Sequence, residues 1–97
     1  MRIISRKTLK DFYESHRDAE GPLVAWFREA ENAAWKAPAD IKAQYRNASI
    51  LKDRIVVFNI AGNKYRLVVK ILYQTQTVYV RFVDSHAEYD TYSPEGW

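Results

Sequence analysis

Two hydrophobic periods divide this chain. In the first half, apolar side chains return every three to four positions, with Leu9, Phe12, Tyr13 and His16 at i, i+3, i+4 and i+7. That spacing predicts a helix near residues 6–18, preceded by a short edge strand over Arg2–Ser5, with Ser5 as the N-cap. Glu20-Gly21-Pro22 ends it, and Pro22 suits the first turn of a second helix. There Leu23, Trp26, Phe27, Ala30 and Ala34 form an apolar stripe reaching about Trp35. The two helices form a hairpin. Pro38 to Tyr45 adds a helical turn, and residues 46–49 read as a connection.

In the second half the period shortens. Arg54–Ile60, Tyr65–Tyr73 and Thr77–Val83 are rich in Val, Ile, Phe and Tyr and are separated by polar turns. They predict a three-stranded antiparallel meander, with Gly62-Asn63 supplying positive φ at one turn and Thr75-Gln76 centring the next. Two-residue loops at both places set the register. Asn59 then lies opposite Arg66, Phe58 opposite Leu67, Lys70 opposite Arg81, Val69 opposite Phe82, and Ile71 opposite Val80. One face collects Val56, Phe58, Leu67, Val69, Ile71, Val78, Val80 and Phe82 as the core under the helices. The other collects Asn59, Arg66, Lys70, Tyr79 and Arg81. The fold class expected is therefore α+β, in one domain over 1–97.

Charge placement sharpens this picture. Residues 1–48 carry nine Lys or Arg against seven Asp or Glu. From Arg54 to Val83 there are five cations (Arg54, Lys64, Arg66, Lys70, Arg81) and no acid. That asymmetry, more than the net charge of +3, points to an anionic partner such as nucleic acid. The absence of cysteine removes disulfides and thiolate metal sites and suits a reducing cytosol. No apolar run has the length of a signal-peptide core or a membrane span, so a cytoplasmic protein without membrane association is expected.

Two features carry candidate chemistry. Lys70 opposite Arg81 is a like-charge pair that costs about 0.2–1 kcal/mol and that an anion would relieve. Tyr79 and Asn59 on the same face add a stacking surface and a polar anchor, as a single-stranded RNA site requires. An ordinary solvated sheet face accounts for the same residues. His86, in Asp84-Ser85-His86-Ala87-Glu88-Tyr89-Asp90, follows the last strand among groups able to move or orient protons. A histidine that only hydrogen-bonds at a strand end is the alternative. Asp84, Ser85 and His86 do not make a hydrolase triad, because neighbouring extended residues point to opposite faces. Two histidines so placed and no cysteine do not suit a zinc site, and no cofactor is expected. His16 reads as packed on the first helix.

The segments Phe58-Asn59-Ile60-Ala61-Gly62-Asn63-Lys64-Tyr65-Arg66-Leu67-Val68, Val78-Tyr79-Val80-Arg81-Phe82-Val83 and Ser85-His86-Ala87-Glu88-Tyr89-Asp90 resemble the HigB-type toxins. These are a branch of the RelE superfamily of messenger-RNA interferases in type II toxin–antitoxin systems. Strand, helical hairpin and meander follow one another as in a RelE-like fold. The resemblance implies an endoribonuclease that cuts messenger RNA in the A site of the 70S ribosome. It also implies a HigA-type, helix-turn-helix antitoxin, with operator DNA bound only through that antitoxin. On that reading Arg66, Lys70 and Arg81 hold the phosphate, His86 transfers protons, and Tyr89 stacks on or orients a nucleotide. Asn59, Asn63, Lys64, Tyr79 and Arg54 contribute to RNA binding. Ser85 stands where the family more usually has threonine. A ParE-type toxin acting on DNA gyrase and a plain RNA-binding module are the competing readings. The tail over 91–97 is assigned no role.

Overall fold

A computed structural model describes residues 1–91; most of the tail lies outside the described residues. The chain runs β1 (Arg2–Ile4), α1 (Arg6–Ser15), a 3-10 turn (Arg17–Ala19), α2 (Glu20–Asn32) and α3 (Pro38–Gln44). It continues through β2 (Ser49–Ile50), β3 (Ile55–Ile60), β4 (Tyr65–Leu72), β5 (Thr77–Ser85) and α4 (His86–Asp90). The α+β class holds, but among the described residues the sheet has five strands in the order β1-β5-β4-β3-β2. The expected meander is its centre. β1 joins one edge parallel to β5, and the short β2, read from the sequence as connection, joins the other.

The helical half deviates mainly at its ends. Ser5 precedes α1, yet its side chain makes no capping bond. Pro22 falls in the first turn of α2, where its missing N–H is tolerated, although the helix starts earlier than expected, at Glu20. α2 stops at Asn32, so Trp35 lies in the connection, buried and with its indole N–H donating to Gln44 Oε1 at 3.0 Å. Asp40 caps α3 by accepting from the Lys36 and Ala37 N–H groups. His16 closes α1, stacked on Phe12 with ring centroids 4.1 Å apart.

The core lies between the helices and one sheet face. Leu9, Leu23, Trp26, Ala30 and Ile41 meet Val56, Phe58, Leu67, Val69, Ile71, Val78 and Val80, all buried. A side chain such as Leu67, fully buried, contributes on the order of 1.5–3 kcal/mol. The β3–β4 register is the expected one, Asn59 opposite Arg66 and Phe58 opposite Leu67. The positive φ values fall on Ala61 and Gly62, however, one position earlier than expected. Arg54 is likewise not in a strand. With Asp53 it forms a turn of two consecutive positive φ angles joining β2 to β3, closed by Ile55 N–H to the Lys52 carbonyl.

The β4–β5 register differs. The loop has four residues, so Leu72 faces Thr77, Lys70 faces Tyr79, Val69 faces Val80 and Ile71 faces Val78. A bulge follows. Val68 pairs with Phe82, which leaves Arg81 as the extra residue. Two corrections result. Lys70 is not opposite Arg81, so the like-charge pair does not exist. Phe82 turns to the face away from the core and Val83 takes the buried position.

Candidate active site

The face away from the helices is not uniformly polar. At its centre Ile55, Val57 and Val68 are buried beneath Leu51, Phe82 and Tyr89. This apolar cluster exists because the bulge brings Phe82 across and because α4 folds back with Tyr89 pointing onto the sheet. Tyr89 therefore anchors α4, and its ring is half-buried. Polar groups are left at the two ends.

At the end near the β3–β4 turn, the side chains are organised around Arg66. One of its terminal nitrogens, Nη2, donates to Asn63 Oδ1 at 2.8 Å and lies 3.0 Å from His86 Nδ1. The other donates to the Asn63 carbonyl at 3.3 Å. Guanidinium has no acceptor, so the short contact requires Nδ1 of His86 to accept and its proton to sit on Nε2. Nε2 in turn lies 3.3 Å from Asp90 Oδ2. The order Asn63, Arg66, His86, Asp90 is one connected unit. Its backbone is fixed as well: the His86 N–H donates to the Lys64 carbonyl at 3.0 Å, tying α4 to the turn. Ser85 caps α4 by accepting from the Glu88 N–H at 3.2 Å.

Asn59 faces Arg66 across the strands. The bond from Ile71 N–H to the Arg54 carbonyl sets the alternation, which makes Asn59 and Arg66 a non-hydrogen-bonded pair with side chains close together. Asp84 is the partner of Arg66 on its other side, but its carboxylate accepts from the Ser85 N–H at 2.8 Å. Among the described residues no ion pair joins Asp84 to Arg66, so the guanidinium charge is not neutralised by a carboxylate.

The remaining predicted residues lie elsewhere. Lys70 and Tyr79 face each other about 13 Å along β4 from Arg66, four residues away. Arg81 projects from the bulge, exposed, with its guanidinium 5.5 Å from the Tyr79 ring centre. Arg54 sits in the turn at that same end. Lys64 is engaged on the other side of the hairpin: it pairs with Asp18, which also accepts from the Tyr65 hydroxyl at 2.6 Å. The hydrogen bond from Lys64, then that from Tyr65, holds the Asp18 carboxyl below the usual carboxylate range. Lys64 thus joins sheet to helices. Asp90 is missing from the sequence reading because Asp84, Ser85 and His86 read as extended and no helix is expected after them; the signal was the i, i+4 spacing of His86 and Asp90.

This geometry can bind a phosphate and move a proton within one cluster. A family model described as "HigB_toxin, RelE-like toxic component of a toxin-antitoxin system" matches residues 19–92. The chain belongs to the HigB toxin family. Among HigB relatives, the "mRNA interferase toxin HigB" of Escherichia coli (strain K12) is 33% identical over 95 residues, covering 96% of this chain and 91% of that one. The "mRNA interferase HigB" proteins of Escherichia coli O157:H7 and Shigella flexneri match to the same extent. As the toxic component of a toxin–antitoxin pair, this HigB-family chain has an antitoxin counterpart.

Proposed function

We propose that this chain is an endoribonuclease that cuts messenger RNA engaged on the ribosome, with the Asn63–Arg66–His86–Asp90 unit as its centre. A HigA-type helix-turn-helix antitoxin silences it. The observation that carries the reading is the 3.0 Å contact between Arg66 Nη2 and His86 Nδ1, backed by Asp90 at 3.3 Å. A cation able to hold a phosphate touches the very nitrogen that must accept a proton.

The chemistry follows from RNA itself. The 2′-oxygen attacks the adjacent phosphorus, and the bond from phosphorus to the 5′-oxygen breaks. The products are a 2′,3′-cyclic phosphate and a 5′-hydroxyl. When a phosphate oxygen draws Arg66 Nη2 away, the Nδ1 lone pair of His86 is released to take the 2′-hydroxyl proton. Asp90 then faces an imidazolium and favours it by charge, while Arg66 offsets the charge that accumulates on the phosphoryl oxygens. The same imidazolium can return its proton to the leaving 5′-oxygen. Lys70 and Arg81, exposed or half-exposed and without ion-pair partners among the described residues, attract the RNA strand. Tyr79, beneath Arg81, offers a ring face to a base.

The test is end mapping. Messenger RNA recovered after induction of the wild-type chain should carry new 5′-hydroxyl ends, which His86→Ala should abolish. Purified messenger should be cut with ribosomes present and spared without them. DNA breaks in place of RNA ends would assign the toxicity to a topoisomerase target and overturn the reading.

A further inference from the structure

A cavity of about 290 Å³ lies beside this centre, between the turn over Tyr45–Ala48 and the outer edge of β3, with Phe58, Asn59 and Gly62 completing its walls. We propose that it seats a purine base of the RNA, adjacent to the phosphate held by Arg66, and that Arg46 and Asn59 read that base. The proposal rests on the RNA-cleaving reading above.

The cavity is placed for this. Asn59, on its wall, is the close cross-strand neighbour of Arg66, so cavity and phosphate site are one strand spacing apart. Its size, near the lower end of small-molecule sites, suits one base and not a folded ligand. One wall, the half-buried Tyr45 ring, is aromatic and held in place on the buried Phe58. The Tyr45 and Phe58 rings meet edge to face with centroids 5.0 Å apart, and the Tyr45 hydroxyl donates to Glu29. The turn is fixed from behind, since Lys42 Nζ donates to the Arg46 and Ala48 carbonyls at 2.8 and 2.9 Å. Gly62 contributes no side chain to block the opening.

Reading groups are present and unspent. Ile55 exchanges backbone bonds with Leu51 and Lys52, so by alternation Val57 and Asn59 also turn their peptides to this edge. β2 covers Val57 and stops; among the described residues no strand pairs with Asn59 there. Among the described residues the Asn59 side-chain amide makes only a 3.5 Å contact, to the Asn47 carbonyl. Arg46 is exposed and has no carboxylate partner among the described residues. Arginine matches guanine O6 and N7, and asparagine matches adenine N6 and N7. Both use the N7 edge, which pyrimidines lack. Single-stranded RNA bases are typically read in this way, stacked on aromatic rings with their edges hydrogen-bonded.

The test maps cleavage ends after induction of the wild type and of Arg46→Ala. Wild type should show a purine excess at one position flanking the cut. The variant should keep cutting, at a lower total rate, while that excess falls about tenfold, within the range one bidentate contact provides. No purine excess in wild type, or an unchanged excess in Arg46→Ala, would each overturn the base pocket. Failure of the wild type to cut RNA at all would instead overturn the cleavage reading on which it rests.

Discussion

The two ends of the outer sheet face differ in how their polar groups are held. At the β3–β4 end, Arg66, Asn63, His86 and Asp90 are locked together by contacts of 2.8–3.3 Å. Toward the other end, Lys70, Arg54 and Arg81 are cations with no ion pair among the described residues, and the Arg81 guanidinium lies over the Tyr79 ring of its own strand. The apolar cluster under Phe82 and Tyr89 separates them. Fixed geometry is what proton transfer and charge stabilisation need, whereas attraction of a polyanion needs only charge in reach. One end is therefore built for reaction and the other for capture.

The largest expected effects come from the organised end. His86→Ala and Arg66→Ala should each lower the cleavage rate by about 10²–10³-fold, with circular dichroism unchanged, because neither side chain belongs to the buried core. Asn63→Ala should cost about tenfold, appearing in kcat more than in KM, since the amide orients Arg66 and need not touch RNA. At the capture end, Lys70→Ala and Arg81→Ala should weaken single-stranded RNA binding only a few-fold. Each should reduce the log–log salt slope of affinity by about 0.7, with kcat nearly intact. A kcat loss at Lys70 or Arg81 as large as at His86 would erase the distinction between the two ends.

The smallest effect concerns neither end. Asp18, with its carboxyl held low by Lys64 and Tyr65, contributes stability above its ordinary value of 3.8 and loses it as pH falls through the lower folded value. Asp18→Asn should therefore lower Tm at neutral pH, and the difference from wild type should shrink toward zero on acidification, as thermal melts would show.

Much of this was legible in the sequence, and the losses have physical causes. The helical period, the strand blocks and the Asn59–Arg66 pairing were readable because side-chain alternation and a four-residue turn centred on Gly62-Asn63 leave one consistent register. The β4–β5 register was not readable. A loop centred on Gln74-Thr75 in place of Thr75-Gln76, together with a bulge at Arg81, leaves no mark on an alternation that Val78 and Val80 satisfy either way. That miss made Lys70 and Arg81 a pair and sent Phe82 to the wrong face. The edge strand expected over Arg2–Ser5 is present as β1, whereas β2 was not readable, because an edge strand of two residues carries too little pattern. At the site, Arg66 and His86 were found by charge and residue type. Their contact depends on α4 folding back over the turn, and Asp90 enters only once that segment is known to be helical.

The central claim is that Arg66 and His86 act as one unit. A double-mutant cycle on the rate of RNA cleavage tests it most directly, with Arg66→Ala, His86→Ala and the combination measured on the same ribosome-bound messenger. The double variant should be about as slow as the slower single variant. A double variant slower by the product of the two individual losses would show that the residues act independently and would contradict it.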